Sequence, residues 1–339
     1  MNKNTIQCDA IIAWVDGDDP KHKKKRLQAM QDLGLTDGVS DGEIKSSNFA
    51  HRGEIYYCIA SILKYAAFVR RIYIVTDGQR PELIDEFAKQ GVCDADKIKI
   101  IDHKELFKGH ESVLPTFNSL TIETMLWNIQ GLSDYCIYFN DDFFLNSEVS
   151  ARAFVGENGQ LILRGRMRSI WPVLVKKYIR DFKYKMLSRG KPAPSRFNVA
   201  QALSAHLLGL NHYIQIGHTP HVMRRNTMKA FLTQHPDLLH AQISPKFRTA
   251  GQFLPVGLAN HLEMRDKNVE FKPPAECVYI KPDALNNEMI KDIEMSKVAF
   301  ACVQNLDEFS DPWGDRMRKV LIKKFERFLP DTIVKYLES

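Results

Sequence analysis

Residues 135–142 read YCIYFNDD, an apolar run that stops abruptly at two adjacent carboxylates. The run is short and rich in β-branched and aromatic side chains, which is typical of a buried strand. Three earlier runs have the same form: Cys8–Val15 before Asp16, Arg71–Thr76 before Asp77, and Ile98–Ile101 before Asp102. The pattern predicts four buried strands, each with a carboxylate at its end.

Helical patterns separate these predicted strands. Residues Glu54–Tyr65 place their apolar side chains on one face, and Asn118 or Ser119 is suited to cap a helix that runs to Ile129. Strands that alternate with helices favour an α/β fold with a mostly parallel, doubly wound, Rossmann-like sheet and helical insertions. Such sheets bind ligands beyond the carboxyl ends of their strands, so the acidic strand ends are expected to meet at a binding site.

Composition divides the rest of the chain. We expect an α/β half over residues 1–150, a basic insertion or lid over 151–199, a half that completes the site over 200–312, and a C-terminal amphipathic helix or helix pair over 313–339. Two late apolar runs, Glu276–Ile280 and Val298–Val303, are expected to return to the sheet.

Overall composition favours a globular cytoplasmic protein. The 339 residues are 44% hydrophobic, which is enough for a full core. The sequence contains neither the apolar stretch of a membrane span nor the apolar core of a signal peptide. Six scattered cysteines argue against a disulfide framework or a cysteine metal cage and fit a reducing cytosol.

Positive charge is concentrated in one segment. Residues Arg164–Arg196 contain eleven Lys and Arg against the single acid Asp181, which leaves 36 basic and 40 acidic residues elsewhere. The net charge of +6 is therefore local, and it indicates a surface for an anionic partner. A phosphate-linked polymer and an anionic lipid surface both fit.

The acidic strand ends offer ligands for a hard cation. Asp141 and Asp142 lie side by side among aromatic residues, where adjacent carboxylates are costly unless a cation neutralises them. Mg²⁺ or Mn²⁺ bridging a diphosphate would do so, and Asp142 with Asp141 is the predicted metal-binding pair. Asp16 begins an acidic turn that could hold a cation or a ribose hydroxyl, or could simply satisfy its own backbone donors.

Other motifs carry groups suited to phosphate chemistry. Thr116 and Asn118 precede a predicted helix and could seat a phosphate, and Glu123 lies one turn inside that helix. His218 suits the deprotonation of a hydroxyl near neutral pH. Arg248 suits the clamping of phosphoryl oxygens. Taken singly, each of these residues also fits a capping, core or surface role.

Taken together, these motifs resemble the Stealth family. That family includes bacterial capsule sugar-phosphate transferases and the animal enzyme that adds N-acetylglucosamine-1-phosphate to lysosomal glycoproteins. The matching blocks run in family order: Ile12–Pro20, Arg52–Pro81 continuing through Leu114–Asp142, His218–His221 followed by Lys246–Arg248, and more loosely Phe300–Asp307. In the last block, where an Asn-Asp pair is common, this chain has Gln304 and Asn305.

The resemblance implies a glycosyltransferase-A-like fold in which residues 1–150 bind a nucleotide sugar. It places Glu123, Asp142, His218 and Arg248 at the positions of the family's essential residues, with Asn140 and Asp16 in the same site. The implied reaction is attack of an acceptor sugar hydroxyl on the β-phosphorus of a UDP-sugar. It releases UMP and builds a phosphodiester into a bacterial capsule or other surface polysaccharide.

Hypotheses for individual roles follow from this reaction. His218 would be the base, Arg248 would clamp the transferring phosphoryl group, and Asp142 would hold Mg²⁺ or Mn²⁺ with Asp141 or Glu123. Glu123 could instead orient the histidine or the sugar. Thr116 and Asn118 would contact the donor, and an oligosaccharide or a growing phosphate-linked polysaccharide would be the acceptor.

Two other functions fit the same residues. A metal-dependent glycosyltransferase would attack the anomeric carbon and release UDP, and a non-catalytic protein could bind anionic glycans through the basic segment. Aromatic residues interleaved with the bases could stack on nucleic acid, but no nucleic-acid motif accompanies them, so no nucleic-acid partner is expected. Contact with a membrane surface is expected from the terminal helix, where Trp313, Met317 and Phe325 alternate with lysines. The alternative, which the pattern favours, is that the same apolar stripe packs on the core.

Overall fold

The computed structural model describes residues 6–34, 53–187, 196–282, 284–309 and 312–338. Its strands are β1 (Cys8–Ala13), β2 (Val69–Thr76), β3 (Ile98–Asp102), β4 (Tyr135–Asn140), β5 (Phe143–Leu145), β6 (Leu161–Arg164), β7 (Arg166–Ser169), β8 (His212–Gln215), β9 (His221–Arg224), β10 (Val269–Lys272), β11 (Cys277–Ile280) and β12 (Phe300–Val303). Its helices are α1 (Pro20–Asp32), α2 (Glu54–Tyr65), α3 (Glu86–Lys89), α4 (His103–Leu106), α5 (Ser119–Met125), α6 (Trp171–Leu187), α7 (Phe197–His206), α8 (Arg225–Gln234), α9 (Pro236–Ile243), α10 (Pro255–Arg265), α11 (Asn287–Glu294), α12 (Trp313–Phe325) and α13 (Asp331–Glu338).

The central sheet confirms the four predicted strands and the α/β class. Within the described residues its order is β3-β2-β1-β4-β9; β1 to β4 are mutually parallel, and β9 is antiparallel to β4. The order reverses between β1 and β4, which is the place where open α/β sheets leave a crevice for ligands. All four acidic strand ends therefore lie at one edge of the sheet.

Helix α2 spans the predicted residues, and α5 begins as predicted with Asn118 as its cap, whose side chain accepts a hydrogen bond from the Leu120 amide. Helix α5 is shorter than expected, because it ends at Met125 and passes into a 3₁₀ turn over Leu126–Asn128.

The late strands do not return to the central sheet, so that expectation was wrong. Strand β12 is parallel to β11 and antiparallel to β5, and the three form a separate small sheet. The physical reason lies at the end of β4, where the chain turns at Asp141 and Asp142 and immediately starts β5. Strand β5 then offers an edge on which β12 pairs, with Cys302 opposite Phe143.

At the opposite edge of the central sheet, where the parallel strands begin, the negative charge of a buried acid is neutralised by an arginine. Asp9 is inaccessible to solvent and accepts hydrogen bonds from Arg70 Nε and Nη2 at 3.0 and 2.7 Å. The backbone amides of Arg71 and Ser133 also donate to it. A buried carboxylate is tolerated when it is paired and hydrogen-bonded in this way.

The C-terminal helix pair packs on the core. Met317, Leu321 and Phe325 of α12 are buried, as are Ile333 and Leu337 of α13, and they belong to the same hydrophobic cluster as the strands of the central sheet. The apolar stripe of this segment is therefore used for internal packing, which is the alternative that the sequence favours, and membrane contact of the protein stays a prediction. The same hydrophobic cluster contains residues from each of the four parts into which the sequence divides the chain. The boundaries between those four parts stay a prediction.

The basic segment forms the exposed strand β7 and the long helix α6. Two of its bases, Arg189 and Lys191, lie outside the described residues. In the part of the chain that the structure describes, no helix combines the length and the apolar character needed to span a bilayer.

Candidate active site

A cleft of about 550 Å³ opens at the carboxyl edge of the central sheet. The end of each parallel strand contributes to its wall, with Trp14 after β1, Asp77 after β2, His103 after β3 and Asn140 at the end of β4. The cleft has the size of a small-ligand site, for which about 300–1,000 Å³ is usual.

Asp141 and Asp142 lie in this cleft at the tip of β4. The pKa of both carboxyls is raised from 3.8 to about 7, chiefly by burial, and for Asp141 the neighbouring Asp142 charge contributes to the rise. Cys302 Sγ donates to Asp142 Oδ2 at 3.5 Å, while Asp142 Oδ1 is buried and has no hydrogen-bond partner among the described residues. Unlike Asp9, Asp142 forms no ion pair with a cationic side chain of the described residues.

The donor set at this point fits a divalent cation in part. Within the described ranges, neither Asp141 nor Asp142 forms an ion pair, so the charge of each is free to meet a ligand. Nowhere among the described residues do three or more His, Cys, Asp or Glu side chains form a group that could hold a metal. Mg²⁺ is usually held by one or two carboxylates together with substrate phosphates and water, and a pair suffices for that mode.

Glu123 lies in the same cleft but interacts with a different set of groups. Burial raises its pKa to about 7, and this rise is opposed by the nearby Arg248 charge and by hydrogen bonds with Ser119 and Tyr138. Arg248 is exposed, and its Nη2 donates to Ser119 Oγ. Glu123 therefore does not complete a cage around the aspartate pair, and in this structure it is a neighbour of the arginine.

Residues 245–248 are held against the segment before α5 by several contacts. The Phe117 amide donates to the Lys246 carbonyl at 2.9 Å, and the rings of Phe117 and Phe247 stack with centroids 5.5 Å apart. Asn118 Nδ2 donates to the Pro245 carbonyl at 3.1 Å and to Gln252 Oε1 at 2.9 Å. These contacts carry Arg248 to the mouth of the cleft.

Asn118 itself does not line the cleft, which corrects the expectation that it contacts the donor. Its side chain is fully buried, and its amide is already engaged with Pro245, Gln252 and the Leu120 backbone. Thr116, by contrast, does line the cleft, and its buried Oγ1 has no hydrogen-bond partner within the described residues. Thr116 is thus the member of this motif with a hydroxyl available to a ligand.

His218 reaches the cleft because β9 is antiparallel to β4. Tyr138 of β4 pairs with His221, so the residues just before β9 lie beside the end of β4. The His218 ring is stacked between Tyr279 and Phe197, at centroid distances of 4.4 and 5.9 Å. Burial lowers the pKa of His218, and Lys281 lowers it further, so the imidazole is neutral at physiological pH.

Asp16 and Asn140 differ in their positions. Asn140 lines the cleft, and its Oδ1 accepts a hydrogen bond from the Tyr138 hydroxyl at 2.8 Å. Asp16 is not among the lining residues, and its Oδ1 accepts from the Asp18 amide at 3.0 Å. Its neighbours Trp14 and Val15 face the cleft instead, so the structure shows Asp16 as part of the turn.

Several residues of the cleft were not singled out from the sequence. His22 of α1 and His103 of α4 line it together with Asp77, and burial lowers the pKa of His103 to about 4. Both histidines are buried. Asp77, at the end of β2, is one of the predicted acidic strand ends and lies in the cleft as expected. His103 follows the end of β3, so its position could have been inferred from the same rule, whereas nothing in the sequence distinguishes His22.

Residues 48–162 match the family model described as Stealth protein conserved region 2. This range includes β2 to β5 and α5, and therefore Thr116, Glu123, Asn140, Asp141 and Asp142.

Similar proteins include capsular polysaccharide phosphotransferase cps1A of Actinobacillus pleuropneumoniae, which is 37% identical over 162 residues, or 47% of this chain and 42% of that protein. Exopolysaccharide phosphotransferase cps2G of Lactiplantibacillus plantarum is 26% identical over 346 residues, covering 96% of this chain and 95% of that protein. The match thus spans about two fifths of the Actinobacillus relative and nearly all of the Lactiplantibacillus one.

Among solved structures, a bifunctional glycosyltransferase, WbbM, in its apo form aligns with 95% of this chain and 51% of its own, with a TM-score of 0.45 and 9% identity. This likeness is too distant to bear on the reaction.

The Asp142→Asn variant tests whether ionisation of the Asp142 carboxyl at the end of β4 destabilises the folded protein. A carboxyl whose pKa is raised by folding favours the folded state below its unfolded value of 3.8, and that stability is lost as pH rises through about 7. The Asp142→Asn variant has no carboxyl at this position and therefore does not lose this stability as the pH rises. Relative to the unchanged protein, its free energy of unfolding should increase by about 3 kcal/mol between pH 4.5 and 7.5, measured by urea denaturation in EDTA.

The matched control is Asp96→Asn, which removes an exposed carboxylate paired with Arg71. Because this pairing lowers the pKa of Asp96, no such increase with pH is expected. A constant difference between Asp142→Asn and the unchanged protein across this pH range would contradict the raised pKa.

Proposed function

We propose that this chain, in which residues 48–162 match Stealth conserved region 2 and which resembles capsular and exopolysaccharide phosphotransferases, transfers a hexose-1-phosphate or N-acetylhexosamine-1-phosphate from a UDP-sugar to a sugar hydroxyl. The product would be a phosphodiester in a capsule or other surface polysaccharide, and UMP would be released. The observation that carries this proposal is that Glu123, Asp142, His218 and Arg248 share one cleft, in which Asp142 Oδ1 has no hydrogen-bond partner among the described residues.

The aspartate pair is the proposed seat of the donor diphosphate. Asp142 and Asp141 would hold Mg²⁺ or Mn²⁺, which when bound would neutralise phosphate charge and fix the diphosphate at the tip of β4. The remaining ligands of the ion would be phosphate oxygens and water. Thr116 Oγ1, buried in the same wall without a partner within the described residues, would donate a hydrogen bond to the donor.

His218 is the proposed general base. Its lowered pKa leaves the imidazole unprotonated at neutral pH, and the flanking rings of Phe197 and Tyr279 fix its plane. As the acceptor oxygen forms its bond to the β-phosphorus, the hydroxyl proton would pass to the imidazole. The bond from the β-phosphorus to the bridging oxygen breaks, and UMP leaves with that oxygen.

Arg248 is the proposed clamp for the transferring phosphoryl group. Its guanidinium is exposed at the cleft and is attached to the wall through Ser119, which leaves N–H donors for phosphoryl oxygens. Glu123, buried behind it, would hold the arginine in position by its charge. Phosphoryl transfer depends mainly on this kind of positioning and charge neutralisation.

The donor and the bond that is cleaved can be tested together. The protein would be incubated with UDP-sugars labelled at the β-phosphate, with Mg²⁺ or Mn²⁺ and a phosphate-linked capsule oligosaccharide. We expect one UMP for each labelled phosphate that enters the oligosaccharide, and no transfer in EDTA. Release of UDP with an unlabelled product would show a glycosyltransferase instead, and binding of the oligosaccharide without turnover of any donor would show a glycan-binding protein.

Replacing the proposed base should remove most of the turnover. His218→Ala is expected to lower kcat about 10²- to 10⁴-fold, the usual contribution of a general base. The matched control is His235→Ala, which removes an exposed histidine at the end of α8 and should leave kcat unchanged. Wild-type turnover by folded His218→Ala enzyme would exclude the histidine as the base.

A further inference from the structure

Helix α6 presents a row of large apolar side chains to solvent. None of its 17 residues, all of them described, is buried. The exposed fractions are 53% for Trp171, 54% for Val175, 78% for Tyr178, 50% for Ile179, 61% for Phe182 and 69% for Met186. Such a contiguous exposed apolar surface marks an interaction site.

The spacing of these residues places them in one stripe. At about 100° per residue, the six side chains fall within a sector about 100° wide along the helix. Lys176 and Lys183 lie on one flank of this sector and Lys185 on the other, and all three are exposed. An apolar stripe bordered by lysines is the arrangement of helices that lie in a membrane interface.

The other side of α6 fastens the helix to the protein. Val173 and Leu174 pack on a cluster that includes Ile170, Ala205 of α7 and Tyr213 of β8. Apart from an edge contact of Trp171 with His206 of α7, at a ring-centroid distance of 6.3 Å, the stripe faces away from the fold. None of its side chains belongs to a hydrophobic cluster of the described residues.

Positive charge around the stripe is largely uncompensated. The one acid of the segment, Asp181, already pairs with Lys177 at 2.6 Å and with Arg180 at 3.2 Å. Within the described residues, Arg166, Arg168, Lys176, Lys183 and Lys185 are exposed and form no ion pair. The surface thus combines an apolar stripe with a net positive border.

We propose that α6 docks the protein on an anionic lipid bilayer, with Trp171, Ile179 and Phe182 inserted among the headgroups and the lysines on lipid phosphates. A soluble polyanion would satisfy the bases but leave the apolar stripe in water. A second copy of the chain would cover the stripe but bring two lysine borders together. An anionic membrane meets both requirements at once.

Docking through α6 would also bring the cleft close to the lipid surface. Helix α7, on which α6 packs, begins at Phe197, which lines the cleft and stacks on His218. Helix α7 therefore contacts both α6 and the cleft. The inference does not depend on the proposed reaction, and binding can be measured without turnover.

Vesicle sedimentation tests this directly. The full chain should bind vesicles of phosphatidylcholine with 30% phosphatidylglycerol and should bind pure phosphatidylcholine at least about tenfold more weakly. Lys176→Gln/Lys183→Gln should weaken binding to the anionic vesicles about 30-fold at low salt. Trp171→Ser/Phe182→Ser should reduce binding to both kinds of vesicle by at least about tenfold.

Each double variant has a matched control outside α6. Lys319→Gln/Lys323→Gln removes two exposed lysines of α12, and Phe271→Ser/Met295→Ser removes two exposed apolar side chains, so both controls should bind vesicles as the unchanged protein does. Far-ultraviolet circular dichroism would verify that every variant is folded.

Three results would overturn the proposal. The first is failure of the unchanged protein to bind anionic vesicles at millimolar lipid. The second is wild-type vesicle binding by both α6 variants. The third is a concentration-dependent dimer, seen by analytical ultracentrifugation, that is lost in Trp171→Ser/Phe182→Ser without any vesicle binding.

Discussion

Two carboxylates held side by side in a poorly solvated position, without an ion-pair partner among the described residues, are the constraint on which the proposed site depends. Asp141 and Asp142 would each be ionised in water at neutral pH, yet burial holds the pKa of both at about 7. The same chain shows how it neutralises a buried acid when only stability matters, since Asp9 receives Arg70 and two backbone amides. This contrast between the two edges of one sheet supports the proposal that the charge at the tip of β4 meets a ligand.

The topology converts this local feature into a site. Parallel strands bring their carboxyl ends to one edge, and the reversal of strand order between β1 and β4 leaves the cleft there. Antiparallel β9 returns the chain to the same edge, so that His218 arrives 78 positions after Asn140 in the sequence but next to it in space. Arg248 arrives by a third route, through the contacts of Phe117 and Asn118 with residues 245–247. Groups of opposite charge and a neutral imidazole thereby face one volume.

Much of this could be predicted from the sequence, because periodicity and strand-end polarity are local signals. The four parallel strands, the bounds of α2 and the cap of α5 follow from patterns within a dozen residues. The pairing partners of the strands do not follow from such patterns. Strand β12 joins β5 rather than the central sheet because β5 has an edge available for pairing, and no local pattern encodes that. For the same reason the sequence could not show that the Asn118 side-chain amide is hydrogen-bonded to Gln252 and Pro245. Nor could it show that the apolar stripe of α12 packs on the core. Helix α6 and α12 have similar amphipathic sequences, and only the tertiary structure shows which stripe is left exposed.

Binding of Mn²⁺ to the tip of β4 tests the central claim most directly. Electron paramagnetic resonance of Mn²⁺ would be titrated with the unchanged protein, Asp142→Asn and Asp141→Asn, each with and without UDP. The account predicts about one bound Mn²⁺ per chain, tighter binding when UDP is present, and at least about tenfold weaker binding in Asp142→Asn. Equal Mn²⁺ affinity in the unchanged protein and in both asparagine variants would contradict it, since the charge at the strand end would then have no ligand to meet.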